Sequence, residues 1–268
     1  MLDTGDYRQA VLKLGERYTA NPGNFVTEHD VQFELISALR CGLDRFENEE
    51  PIRPTLQNTP SRSFKIEYVR AIQDGYDHAE GGFHPIHTEV SIEKGQRFDV
   101  GVFNQSVEEV TWDSGSKKFN EAALSALFEV KFVKNWKKID TEVGFKPSRE
   151  GEELSDEELL SKFKWETVGF KSDVESLGKR TSPEYRCAIL FSNFNYLYFN
   201  PTKREDAHNP LYIRMGKLAR EQLAEIGREQ DVSILYACPR GREKCQGGSF
   251  GGIQWLYDST SDEKLVAR

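Results

Sequence analysis

The chain has 268 residues, 37% hydrophobic and 30% charged, with a formal net charge of -8. That is enough apolar material for the core of one large domain. It holds no run near the about 18 apolar residues of a membrane span, and the acidic balance excludes a generally basic nucleic-acid-binding coat. The opening "MLDTGDYRQAVLKL" turns polar at once and does not read as a secretory signal. Cys41, Cys187, Cys238 and Cys245 are scattered without a C-x-x-C pair, which supports neither a zinc ribbon nor a disulfide framework. A cytoplasmic protein, not in a membrane, is the expectation.

In chain order, Ala10, Val11, Leu14 and Tyr18 predict a helix over 6–19, ended by "NPGN". Thr27 is a good N-cap for a second helix, "EHDVQFELISALRCGL". Val31, Leu35, Ala38, Leu39 and Gly42 fall on one face of it. A polar, Pro-containing loop follows, and "FKIEYVRAIQDGYDHA" is ambiguous between strand and helix. "HTEVSI", "EKGQ" and "RFDVGVF" read as strand, turn, strand. Alternation then places Asp99, Gly101 and Phe103 on one face, and Phe98, Val100 and Val102 on the other. "NQSVEEVTWDSGSKKFNEA" reads as a long polar connection, and "ALFEVKF" as a third strand.

The segment 144–165 is acidic and reads as an insertion, with a capping box of Ser155 and Glu158 starting a surface helix. "FKSDVESLGK" reads as another helical piece, and "CAILFSNFNYLYF" as a buried strand. In "PLYIRMGKLAREQLAEIGRE", Leu211, Met215, Leu218, Ala219 and Ile226 form a helical stripe. Leu223 sits at its edge and Gln222 is a polar exception within it. "VSILYAC" is a last core strand, and "GGSFGGIQWLY" ends the ordered part. This order predicts a single α/β domain over 1–268, with a central mixed sheet flanked by helices and a motif-bearing core of about 27–240.

Two consecutive strands carry carboxylates that strand interiors disfavour: Asp99 in "RFDVGVF" and Glu129 in "ALFEVKF". Lys131 shares a strand face with Glu129, because side chains two apart point the same way. Hydrolysing a phosphodiester needs these groups. Carboxylates hold a hard divalent cation with retained waters, and that metal activates a water. A lysine orients or helps deprotonate the water and steadies developing charge. The Val130 carbonyl, between them, is a further candidate oxygen ligand.

Asp followed by Glu-x-Lys on adjacent strands resembles the signature of the PD-(D/E)XK nuclease superfamily, the restriction-endonuclease-like fold. "TEHDVQFELISALRCGL", "HTEVSIEKGQRFDVGVF" and "ALFEVKF" look like its opening helix, hairpin and third strand, so the likeness covers roughly residues 27–135. Phe98 stands where the family often has proline, and the gap from Asp99 to Glu129 needs an extra loop. The resemblance implies a nuclease dependent on Mg²⁺, with Mn²⁺ as a substitute, in which Asp99, Glu129 and Val130 hold the metal and Lys131 positions the attacking water. DNA is the expected substrate, in a restriction or defence setting. A homodimer or a partner protein would supply specificity. An inactive binding or scaffold protein that keeps the fold is the first alternative, and a nuclease acting on RNA or branched DNA the second.

The opening helix of this fold often adds a glutamate. Measured from Val31 at about 100° per residue, the apolar face spans roughly -20° to 80°, with Glu28 near 60° and Glu34 near -60°. Glu28 is therefore the favoured inward carboxylate, although an acid in a first turn also suits the helix dipole. Glu89 is a further candidate that alternation alone does not place. Lys134, Lys137 and Lys138 beside Trp136 offer phosphate contacts with a stacking aromatic, or simply a solvated helix start. Loop residues Lys203 and Arg204 are too ordinary to read. His84 and His87 lack a third metal ligand at suitable spacing. Cys238 and Cys245 lack zinc spacing, and "GGSFGG" lacks the Lys-Ser/Thr of a phosphate loop.

Overall fold

A computed structural model describes residues 2–43, 55–57, 85–92, 96–104, 109–113, 116–133, 154–161, 169–193, 197, 210–239 and 252–261. Helix α1 (Thr4–Ala20) starts with a reciprocal box in which Asp3 caps the Asp6 N–H and Asp6 accepts from the Asp3 N–H. Helix α2 (Glu28–Leu43) is capped the same way: Thr27 Oγ1 accepts from the Asp30 N–H, and Asp30 accepts from the Thr27 N–H.

Strands β2 (Ile86–Ser91), β3 (Arg97–Phe103), β6 (Leu124–Val133), β7 (Tyr185–Ser192), β8 (Ser233–Cys238) and β9 (Gly252–Tyr257) form one six-stranded sheet in that spatial order. The β2–β3 and β3–β6 pairs are antiparallel, β2 and β3 as a hairpin. The β6–β7–β8 pairs are parallel, and β9 closes the far edge antiparallel. Parallel neighbours need crossovers. Helix α4 (Phe170–Gly178) lies in the connection from β6 to β7, and α5 (Pro210–Gln230) in that from β7 to β8.

The sheet is buried on both faces. On one face, Tyr7, Val11, Leu14 and Tyr18 of α1 and Val31, Leu35 and Leu39 of α2 pack on Val100, Phe128, Val130, Ile189 and Phe191. On the other, Phe170, Val174 and Leu177 of α4 and Met215, Ala219 and Leu223 of α5 pack on Leu127, Val133, Leu190, Ile234 and Tyr236. The architecture is therefore α/β, three layers around a mixed sheet. Among the described residues, no helix is long and apolar enough to cross a membrane.

Four sequence expectations need correction. The polar connection after β3 holds two short strands, β4 (Glu109–Asp113) and β5 (Ser116–Phe119), which with β1 (Thr55–Gln57) make a separate three-stranded sheet. Phe98 does not share a core with Val100 and Val102; it joins the α4–α5 side. Its partner Val90 on β2 joins the same core, and between the paired Thr88 and Val90 the residue Glu89 takes a left-handed φ of 53°. Helix α3 (Asp156–Ser161) keeps its Ser155–Glu158 box. It is more than a surface helix, because Leu159 is fully buried in the α4–α5 core. On α5, Leu223 is fully buried while Leu218 is only partly so, which moves the centre of the stripe.

Candidate functional site

Strands β3 and β6 pair from Phe103↔Leu124 to Val100↔Phe128. Continued by one residue, that register sets Asp99 against Glu129. The backbone ladder stops there, and the Asp99 side chain takes over: its Oδ2 accepts from the Val130 N–H at 2.7 Å. Its other oxygen accepts from Gln32 Nε2 of α2 at 2.8 Å. Gln32 is 4% exposed, so this bond is shielded from water. Each Asp99 oxygen is thus held by its own donor.

The Asp99 and Glu129 carboxyls are hydrogen-bonded to each other. Burial, then the Asp99 charge and this bond, push the Glu129 pKa up to about 10. Glu129 therefore keeps its proton at neutral pH and donates it to the Asp99 carboxylate. Asp99 is also raised, chiefly by burial, against the lowering pull of the Val130 N–H.

Lys131 lies on the same face of β6 as Glu129, and carboxylates reach it from two helices. Glu28 Oε1 of α2 is 3.7 Å from its Nζ, and Asp173 Oδ2 of α4 is 3.5 Å away. Burial lowers the lysine pKa, but Asp173, Glu28 and Asp99 outweigh it and the net shift is upward. Lys131 is held as an ammonium, which suits it to orient a water or oppose negative charge and not to act as a base. Glu28 Oε1 also accepts from the Phe132 N–H at 3.2 Å, which anchors the start of α2 to β6.

The remaining candidates divide clearly. The N–H and C=O of one strand residue leave the same edge, so the Val130 carbonyl faces the opening where β3 has left the ladder. Glu34 points away from the site and pairs with Arg17 of α1 at 2.6 Å. Glu89 pairs with Arg97 along its hairpin at 2.8 Å. His87 packs edge-on against Phe103. Lys134, Trp136, Lys137, Lys138, His84 and Cys245 lie outside the described residues, while Cys187 and Cys238 are buried free thiols.

Sequence reasoning missed Asp173 and Gln32. An aspartate in a first helical turn has an ordinary explanation in the helix dipole. Gln32 did carry a signal, because it lies four residues after Glu28 and so on the same side of α2.

Among the described residues, no three or more His, Cys, Asp or Glu side chains form a ready-made metal cage. A magnesium site does not require one, since one or two carboxylates, waters and a substrate phosphate suffice. The proton-sharing Asp99–Glu129 pair, with the Val130 carbonyl on the open edge, fits that donor set. No protein-family model, characterised protein or solved structure gives a significant match to this chain.

Proposed function

We propose that this chain is a metal-dependent nuclease of the PD-(D/E)XK kind that cuts DNA. One observation carries the reading: Asp99 and Glu129 meet where β3 and β6 part, with the Lys131 ammonium two residues along β6. The topology supports it, running from a capped helix through an antiparallel hairpin and third strand into a parallel crossover.

Asp99 and Glu129 would hold Mg²⁺ or Mn²⁺ with the Val130 carbonyl. When bound, the metal supplies an activated water and charge neutralisation at the phosphate. The residues of the chain do the rest. Gln32 and the Val130 N–H fix the Asp99 carboxylate before any substrate arrives. Glu129 would release its proton to solvent when it holds the metal. Lys131, kept cationic by its neighbours, orients the attacking water and faces the charge that develops on the phosphate.

The test is incubation with supercoiled plasmid, single-stranded DNA and RNA, in Mg²⁺, Mn²⁺ or EDTA, beside Asp99→Ala and Lys131→Ala. The expected result is plasmid cleavage that needs a divalent cation and is lost in both variants. Cleavage surviving EDTA or both variants would overturn the mechanism. Cleavage confined to RNA would move the substrate, and none on any substrate would favour a binding or scaffold protein.

A further inference from the structure

We propose, resting on the nuclease reading, that Asp173 is a positioning residue which holds the Lys131 ammonium from the α4 side of the sheet. Lys131 leaves β6 on the face that α4 covers, and its Nζ stands between Asp173 Oδ2 at 3.5 Å and Glu28 Oε1 at 3.7 Å. The two carboxylates come from helices on opposite faces of the sheet. The ammonium therefore cannot swing toward either helix without drawing away from the other carboxylate. The Asp173 Oδ2 atom is buried and makes no hydrogen bond of standard geometry among the described residues. A buried carboxylate oxygen is costly without a compensating partner, and Lys131 is the charge that balances it.

A lysine is a flexible stem that carries three donors. Held between Asp173 and Glu28 by charge, the ammonium has donors to offer a water or phosphate oxygen at the Asp99–Glu129 pair. Freed from Asp173, the stem would sample other rotamers, and the productive one would be populated less often. The alternative is that Asp173 only favours the helix dipole. That role would act on the stability of α4 and leave the chemistry alone.

The experiment compares wild type, Asp173→Asn and Asp173→Glu in steady-state plasmid cleavage, with melting temperatures alongside. It adds a ¹⁵N spectrum of lysine ammonium groups in the metal-free protein, with Lys131→Arg to assign the signal. Positioning predicts that kcat falls about 10- to 100-fold in Asp173→Asn, as for residues that orient a functional group, with KM unchanged. Asp173→Glu should recover part of the rate. The Lys131 ammonium signal, slow to exchange in wild type, should broaden or vanish in Asp173→Asn. Wild-type cleavage with kcat unchanged in Asp173→Asn, whatever its melting temperature, overturns the role of Asp173 and leaves the nuclease reading standing. A wild-type chain that cleaves nothing overturns both, even where the ammonium signal responds.

Discussion

Asp99 owes its orientation to two donors from different elements, the Gln32 amide on α2 and the Val130 N–H on β6. Gln32→Leu keeps the bulk and removes one donor, stranding a part-buried carboxylate oxygen. We expect a stability loss of about 1–3 kcal/mol in urea unfolding and a 10- to 100-fold loss of divalent-cation affinity, roughly the cost of removing an orienting partner. Unchanged values for both would mean that Gln32 merely fills space. Glu129 makes a second prediction. Its folded pKa is raised to about 10 while an unfolded glutamate titrates near 4.3. Between those values the folded state holds a proton that the unfolded state lacks. The stabilising contribution is complete below the unfolded pKa and is lost as pH rises toward the folded one. Metal-free protein should lose stability from pH 5 to pH 9, with a slope approaching about 1.4 kcal/mol per pH unit for that one proton. Glu129→Gln should flatten the slope. An equally steep fall in the variant would assign the proton elsewhere.

At the scale of elements, the β2–β3 hairpin delivers Asp99, and Gly101 makes its close packing possible. A Cβ at Gly101 would stand 2.9 Å from Val90 Cγ2 and 3.3 Å from Leu124 Cδ2, inside the contact distance of two core side chains. Gly101→Ala should cost about 1–3 kcal/mol by overpacking, measured by urea unfolding; a neutral result would mean that β2 yields freely. The same hairpin shows what the sequence made legible. Strong periodicity and capping residues mark α1, α2 and the core strands, because burial on a fixed face leaves a repeating apolar pattern. The facing Asp99 and Glu129 are readable as carboxylates out of place in apolar strands, and Glu28 from its angle on α2. The β4–β5 hairpin is not readable, since five- and four-residue strands rich in polar side chains leave no stripe. Alternation puts Phe98 in the wrong core: the paired Phe98 and Val90 both join the α4–α5 side, a switch of face at the end of the hairpin that a period of two does not carry. Asp173 is invisible in the sequence because its role depends on where the α4 crossover returns across the sheet, which is a tertiary fact.

At the scale of the molecule, charge sets the terms on which a polyanion can approach. The chain carries a net charge of -8, and among the described residues the site gathers the Asp99, Glu28 and Asp173 carboxylates and the protonated Glu129 around the Lys131 ammonium. Without a cation, this arrangement repels phosphate. On the proposed nuclease reading, affinity would come from a bound divalent ion together with a local basic stretch, for which Lys134, Lys137 and Lys138, directly after β6, are the nearest candidates in the sequence. Anisotropy of a labelled duplex should show binding in Ca²⁺, a hard ion that takes oxygen ligands, and much weaker binding in EDTA. Replacing the three lysines by alanine should lower affinity for every sequence alike. It should also flatten the plot of log K against log salt by about 0.9 for each phosphate left unneutralised, because each neutralised phosphate releases condensed counterions. Binding that ignored both EDTA and the lysines would place the nucleic-acid surface elsewhere and detach it from the Asp99–Glu129 pair.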